Sequence, residues 1–245
     1  MDNFGKWFVN TKPTIVYLTV GFPSFEESLE VARFLISNGF AQLIEAGIPF
    51  SDPIADGEVI QLSTQKAIEN GITLKDVGKF VGILKKEFGI PIFAMGYYNP
   101  IFSDLERSFS ILRDNECDGL IIPDINVEEI RRIKPLLRKY GLRIVGFVAP
   151  NTSEDRIRRI VRHTNGFIYL VSSYGTTGVR DSIDFSYLRD IVVRIKRYKD
   201  LPVAIGFGIR NIEMVERAKE VSDGAILGSA IIRLILSNPG NYVRK

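Results

Sequence analysis

With 245 residues, 45% of them hydrophobic, the chain can bury the core of one large barrel or two small domains, and it holds no run of about 18 uncharged apolar residues that would offer a membrane span. Its net charge of +3 comes from 32 basic and 29 acidic residues with the signs interspersed, which argues against a nucleic-acid binder. One cysteine, Cys117, and one histidine, His163, allow neither an internal disulfide nor a Cys/His zinc site, so no metal is expected and a reducing cytoplasm is.

The opening MDNFGKWFVNTKP lacks the apolar stretch of a secretory signal. From there short apolar runs recur in chain order: 14–20, 42–47, 90–96, 119–124, 142–149, 166–172, 201–207 and 224–227. They are nearly continuous rather than alternating, as expected of parallel strands buried on both faces. Helical patterns lie between them. Residues 74–88 put Leu74, Val77, Val81, Leu84 and Phe88 on one stripe, with Thr73 placed to cap the start and Gly89 the end. A second pattern at 58–69 predicts an extra helix between strands 2 and 3. Asp184 and Asn211 precede further helices, and the basic stretch 156–162 reads as a solvated helix with one apolar stripe. Eight strands alternating with helices predict a (β/α)8 TIM barrel, one domain over 1–245, in preference to an open doubly wound sheet. His163, the one residue that could serve a Ser-His-Asp triad, follows a helical pattern in a polar stretch and reads as a surface residue.

In such a barrel the chemistry sits at the C-terminal ends of the strands. Glu45 is a carboxylate inside the apolar second strand, and its burial costs several kcal/mol unless it is partnered or neutral. The loop after it carries Asp52 and Asp56; either could cap a helix or shape a turn, and a carboxylate pair at one strand end could do acid–base work. Small-residue turns follow strands 6, 7 and 8, at Thr176-Thr177-Gly178, Gly206-Phe207-Gly208 and Gly228-Ser229-Ala230. Glycines admit close approach of backbone N–H groups, and a helix N-terminus favours an anion, so these turns predict a phosphate site.

The run IEAGIPFSDPIADG resembles the signature of the tryptophan synthase alpha chain family. So does the order of TVGFP, GYYNP, PDINVEE, SSYGTTGVR, IGFGI and LGSAI after successive strands, and the resemblance spans nearly the whole chain. It implies a lyase of tryptophan biosynthesis that splits indole-3-glycerol phosphate into indole and glyceraldehyde 3-phosphate without a cofactor. Glu45 would be the acid/base, Asp56 the acceptor of the indole N–H, and Tyr169 an active-site tyrosine near Glu45. Tyr17, Met95, Tyr97, Ile121, Phe207 and Ile226 would surround the indole, although spacing alone reads most of them as core. Gly178, Gly208, Gly228 and Ser229 would grip the phosphate, with Thr177 on a loop that closes over substrate. The implied partner is a pyridoxal-phosphate beta subunit in an alpha2beta2 heterotetramer.

Two positions depart from the family pattern. Glu58 replaces a common proline, adding a third carboxylate near the site and loosening the next helix start. Asn126 replaces a proline in a loop facing the beta subunit. The stretch before strand 1 leaves room only for a brief helix plugging the barrel. The rivals are another phosphate-binding barrel enzyme, such as a phosphosugar isomerase or indole-glycerol phosphate synthase, and a non-catalytic partner barrel. The synthase would need a lysine inside a strand, and none of the runs contains one.

Overall fold

The structure is a computed structural model that describes residues 1–172, 183–238 and 240. Nine parallel strands are found among them: β1 (Thr14–Thr19), β2 (Leu43–Gly47), β3 (Ile92–Met95), β4 (Gly119–Ile121), β5 (Arg143–Ile144), β6 (Gly146–Val148), β7 (Ile168–Val171), β8 (Val203–Gly206) and β9 (Gly224–Leu227). Their order is β5-β4-β3-β2-β1-β9-β8-β7-β6. The two ends of this sheet are consecutive in the chain, so the ring closes through Val145.

The closure corrects the expectation of one strand over 142–149. Val145 N–H donates to Leu120 at 3.0 Å, on the β4 side, and Gly146 N–H donates to Phe167 at 3.2 Å, on the β7 side. The chain changes partners between these residues, and Gly146 permits it because a Cβ there would collide with the Thr164 hydroxyl.

Helices cover the outside of the barrel. The first, α1 (Asn3–Thr11), is the brief plug: Asp2 caps it by accepting from Gly5 N–H at 2.8 Å. Its Phe4 and Phe8 enter the barrel among Ile15, Leu43, Phe93 and Phe167, with the Phe8 and Phe167 ring centroids 5.2 Å apart. Next come α2 (Phe25–Ser37), α3 (Glu58–Glu69) and α4 (Leu74–Phe88), so the extra helix between β2 and β3 is present. Asp76 accepts from both the N–H and the hydroxyl of Thr73, and Gly89 ends α4 at φ 66°, a left-handed conformation that costs glycine little.

A further helix went unseen in the sequence. The segment after β3 forms α5 (Tyr98–Phe102) before α6 (Leu105–Asp114). It is five residues long with Pro100 inside it, too short for a hydrophobic period. Its start is held by Asp124, which accepts from Tyr98 N–H at 2.8 Å. The remaining helices are α7 (Val127–Tyr140), α8 (Glu154–His163), α9 (Phe185–Lys196), α10 (Ile212–Val221) and α11 (Ser229–Ser237).

The N-terminal rim of the barrel repeats one device. A side chain shortly before β2, β4, β7 and β9 accepts from a backbone N–H of an earlier strand, β1, β3, β5 and β8 in turn. Gln42 takes Thr14 at 2.9 Å, Asp118 takes Ile92 at 2.8 Å, Asn165 takes Ile144 at 2.8 Å and Asp223 takes Val203 at 2.9 Å. Lys85 and Lys196 pair with the two aspartates at 3.0 Å and 2.7 Å. His163 is half-buried at the end of α8; burial and the neighbouring Lys134, Arg162, Arg131 and Arg159 depress its pKa. It lies at this rim, away from the strand ends where chemistry is expected.

Candidate active site

Glu45 lies in the middle of β2, in register with Tyr17 of β1 and Phe93 of β3. It is 1% exposed, and its Oε1 has no hydrogen-bond partner among the described residues. Burial therefore pushes its carboxyl up to about 8, so it holds its proton at neutral pH.

Asp56 sits in the loop between β2 and α3 and is half-buried. Burial raises its pKa, while a hydrogen bond from the Tyr97 hydroxyl pulls it down. That hydroxyl also accepts from Ala55 N–H at 3.0 Å, tying the loop to the end of β3. The Phe50 and Tyr97 rings lie 5.5 Å apart between centroids. The carboxyl groups of β2 and of the loop after it thus have different surroundings, one buried with no partner for its Oε1 among the described residues, the other hydrogen-bonded. Such a contrast separates an acid from an anion.

Tyr169 of β7 is 5% exposed. Burial, with Glu45 and Asp56 nearby, raises its phenol, which stays neutral. Its ring stacks on Phe147 at 4.9 Å and meets the edge of Phe207 at 5.8 Å. It crosses Gly206, where a Cβ would strike the hydroxyl.

The expected pocket wall divides in two. Tyr17, Met95 and Tyr97 line a cleft with Asp56, together with Ile48, Phe50, Pro53, Thr64, Gly96 and Pro123. Ile121 and Ile226 are buried with Tyr169 inside the barrel, and Met95 and Phe207 pack against that group. The sequence reading missed Phe50 and Thr64. Phe50 stood within the quoted motif, whereas Thr64 falls four residues after Ile60 on the buried stripe of α3 and reads as core.

Gly208 and the Gly228-Ser229 pair follow the adjacent strands β8 and β9. Gly208 has φ 73°, and Phe207 before it has φ 63°, which is strained for a residue with a side chain. Phe207 is held by the Ser172 hydroxyl, which donates to its carbonyl. Gly228 is the N-cap of α11 and Ser229 its first residue, so the free N–H groups of that helix face the rim. Thr177 and Gly178 lie outside the described residues.

Glu58 stands where its charge suits a helix start. It is the first residue of α3, where a carboxylate meets the positive end of the helix dipole. It is exposed and lines an outer groove with Phe50, Ser51, Pro53, Gln61 and Leu62 rather than the cleft. Asp52 is likewise exposed and pairs with the Ser51 hydroxyl. Asn126 is the N-cap of α7 and accepts from Glu129 N–H at 2.9 Å, an acceptor that proline lacks.

A closed parallel barrel with paired carboxyl groups and glycine turns at the C-terminal ends of its strands defines the class: a (β/α)8-barrel enzyme. Residues 8–243 match the family described as tryptophan synthase alpha chain, and the chain belongs to that family. It is therefore a lyase subunit of tryptophan biosynthesis, and an alpha chain implies a beta-chain partner. The alpha chain of Chloroflexus aggregans is 43% identical, covering 88% of this chain and 81% of its own. That of Petrotoga mobilis is 37% identical, covering 97% and 92%. Among solved structures, a mutant tryptophan synthase alpha-subunit from Pyrococcus furiosus superimposes with a TM-score of 0.84 at 33% identity, covering 95% of this chain and 93% of that one. A Mycobacterium tuberculosis tryptophan synthase chain does so with 0.86 at 27% identity, covering 96% and 92%.

Proposed function

We propose that this chain, as one barrel domain over 1–245, cleaves indole-3-glycerol phosphate into indole and glyceraldehyde 3-phosphate. The observation that carries the reading is Glu45: a buried carboxyl whose Oε1 has no hydrogen-bond partner among the described residues and which keeps its proton near neutrality. Glu45 delivers that proton to C3 of the indole ring, giving an indolenine with positive charge on nitrogen. Asp56 accepts the ring N–H and stabilises this charge. The hydroxyl on the carbon attached to C3 then loses its proton, and the carbonyl of the aldehyde forms. The carbon–carbon bond breaks, and its electron pair returns through the ring to nitrogen. Glu45, now a carboxylate, takes up the hydroxyl proton, so the enzyme ends as it began.

Tyr169 stays a neutral phenol beside the two carboxyl groups, and Tyr17, Met95, Tyr97, Ile121, Phe207 and Ile226 surround the ring. Backbone N–H groups of Gly208, Gly228 and Ser229 bind the phosphate, joined by Thr177 and Gly178. The left-handed backbone at Gly208 and the helix start at Ser229 support this assignment. The partner is a pyridoxal-phosphate beta chain in an alpha2beta2 heterotetramer in the cytoplasm. The test is release of indole from indole-3-glycerol phosphate by the isolated chain, with and without a beta chain. No indole under either condition would refute the reading.

A further inference from the structure

Tyr17 reads as a pocket wall, but its hydroxyl belongs to a polar network. The ring crosses Gly47, where a Cβ would come within 2.5 Å of the hydroxyl oxygen. The hydroxyl therefore reaches from β1 over β2 towards α3. There it accepts from the Thr19 hydroxyl at 3.2 Å and shares a hydrogen bond with the Thr64 side chain. The Thr19 and Ser63 hydroxyl oxygens lie 2.7 Å apart, and Ser63 donates its proton to the Ile60 carbonyl at 2.8 Å. All four side chains are buried. A buried hydroxyl that loses its partner carries its full desolvation cost, so removing one member disturbs the others.

The network lies where α3 needs it. The N-cap of α3 is Gly57, which offers no side-chain cap, so contacts made further along the helix carry more of its placement. Asp56 comes one residue earlier. Its carbonyl accepts from the Gln61 amide on α3 at 2.8 Å, so the placement of α3 sets the placement of Asp56.

We propose that the Tyr17 hydroxyl is a positioning residue that, with Thr19, Ser63 and Thr64, pins α3 to β1 and so holds Asp56 where it meets the ring N–H of the substrate. This rests on the reading of Asp56 given above. Tyr17→Phe keeps the ring and removes only the hydroxyl.

Single-turnover cleavage of indole-3-glycerol phosphate is measured for the parent, Tyr17→Phe, Asp56→Asn and the double variant. Tyr17→Phe is expected to slow the parent about tenfold, the effect of one lost hydrogen bond. In the Asp56→Asn background the same change is expected to cost under about twofold, because the two act as a unit. A second readout is affinity for two uncleavable phosphates, one bearing an indole and one a benzofuran, which lacks the N–H. Tyr17→Phe is expected to weaken the first and spare the second. Should that variant not fold, Ser63→Ala, outside the cleft wall, is expected to show the same selective loss.

Equal slowing in both backgrounds, equal weakening of both ligands, or no effect would overturn the proposal. A parent that releases no indole yet prefers the N–H ligand, with that preference lost in Tyr17→Phe, would remove the reaction assigned above and keep the positioning role. A parent that neither cleaves nor discriminates would overturn both.

Discussion

Burial of the Glu45 carboxyl costs stability once it ionises, and the reaction proposed above assigns that same carboxyl the proton transfer. Its folded-state pKa of about 8 lies above its ordinary value of 4.5. Below the ordinary value it is protonated both folded and unfolded, and its stability contribution is fully present. As pH rises towards 8 the unfolded chain gives up this proton first, and stability falls by at most about 1.4 kcal/mol per pH unit. Glu45→Gln removes the titration with nearly the same shape. Its melting temperature is expected to equal or exceed that of the parent at pH 8, with the difference shrinking towards pH 5. Its cleavage rate is expected to fall by at least about 10²–10⁴, the usual loss of a general acid or base. A structural Glu45 gives the reverse: a lower melting temperature and near-normal turnover. The parent's own kcat/KM should decline above about pH 8 as Glu45 ionises, and on the acid side as Asp56 protonates, giving a bell-shaped profile. A flat profile through pH 9 would remove Glu45 from the proton transfer.

At the scale of elements, α1 shows how little chain a barrel needs to close its floor. Nine residues supply Phe4 and Phe8, and Phe8 is fully buried against Phe167. Phe8→Ala is expected to cost about 3–5 kcal/mol, a drop on the order of 10 °C in Tm for a chain of this size. Since the floor lies far from the strand ends that bear Asp56, turnover of the folded molecules should stay near the parent's. Calorimetry with an activity assay at low temperature checks both halves, and an unchanged Tm would mean that α1 does not plug the barrel. The elements legible in sequence were those with a long period and a chemical stop, such as α4 between Thr73 and Gly89. The split at Val145 was not legible, because an apolar run looks the same whether its N–H groups point to one neighbour or two. Glu45 was legible because a charge in an apolar strand demands an explanation. The network around Tyr17 was not, because tyrosine, threonine and serine on a buried face look like filling until their hydroxyls are seen to meet.

The whole molecule divides its work between the two ends of the barrel. The N-terminal rim holds the strands in register through Gln42, Asp118, Asn165 and Asp223. The C-terminal end carries the carboxyl groups and the glycine turns, and the loop and helix that follow β2 leave large apolar side chains in solvent. Ile54, in the loop with Asp56, is 76% exposed, and Leu62 of α3 is 60% exposed beside the groove of Phe50, Pro53 and Gln61. Exposed apolar side chains grouped at one rim mark a surface that another protein covers, and the implied beta chain is the candidate. A charge placed there would be buried without a partner on docking, at a cost of several kcal/mol. Ile54→Glu is therefore expected to weaken the complex with a beta chain at least about tenfold. Turnover of the isolated variant should stay within about twofold of the parent, since Ile54 points away from the cleft into solvent. If a beta chain accelerates indole release by the parent, the same acceleration in the variant is expected only at higher beta-chain concentration, with the same plateau. Titration calorimetry gives the affinity, and the indole assay across the same titration gives the activation. An unchanged affinity would move the docking surface away from this rim. If the parent forms no complex at about 10 μM, the alpha2beta2 assembly itself is wrong for this chain.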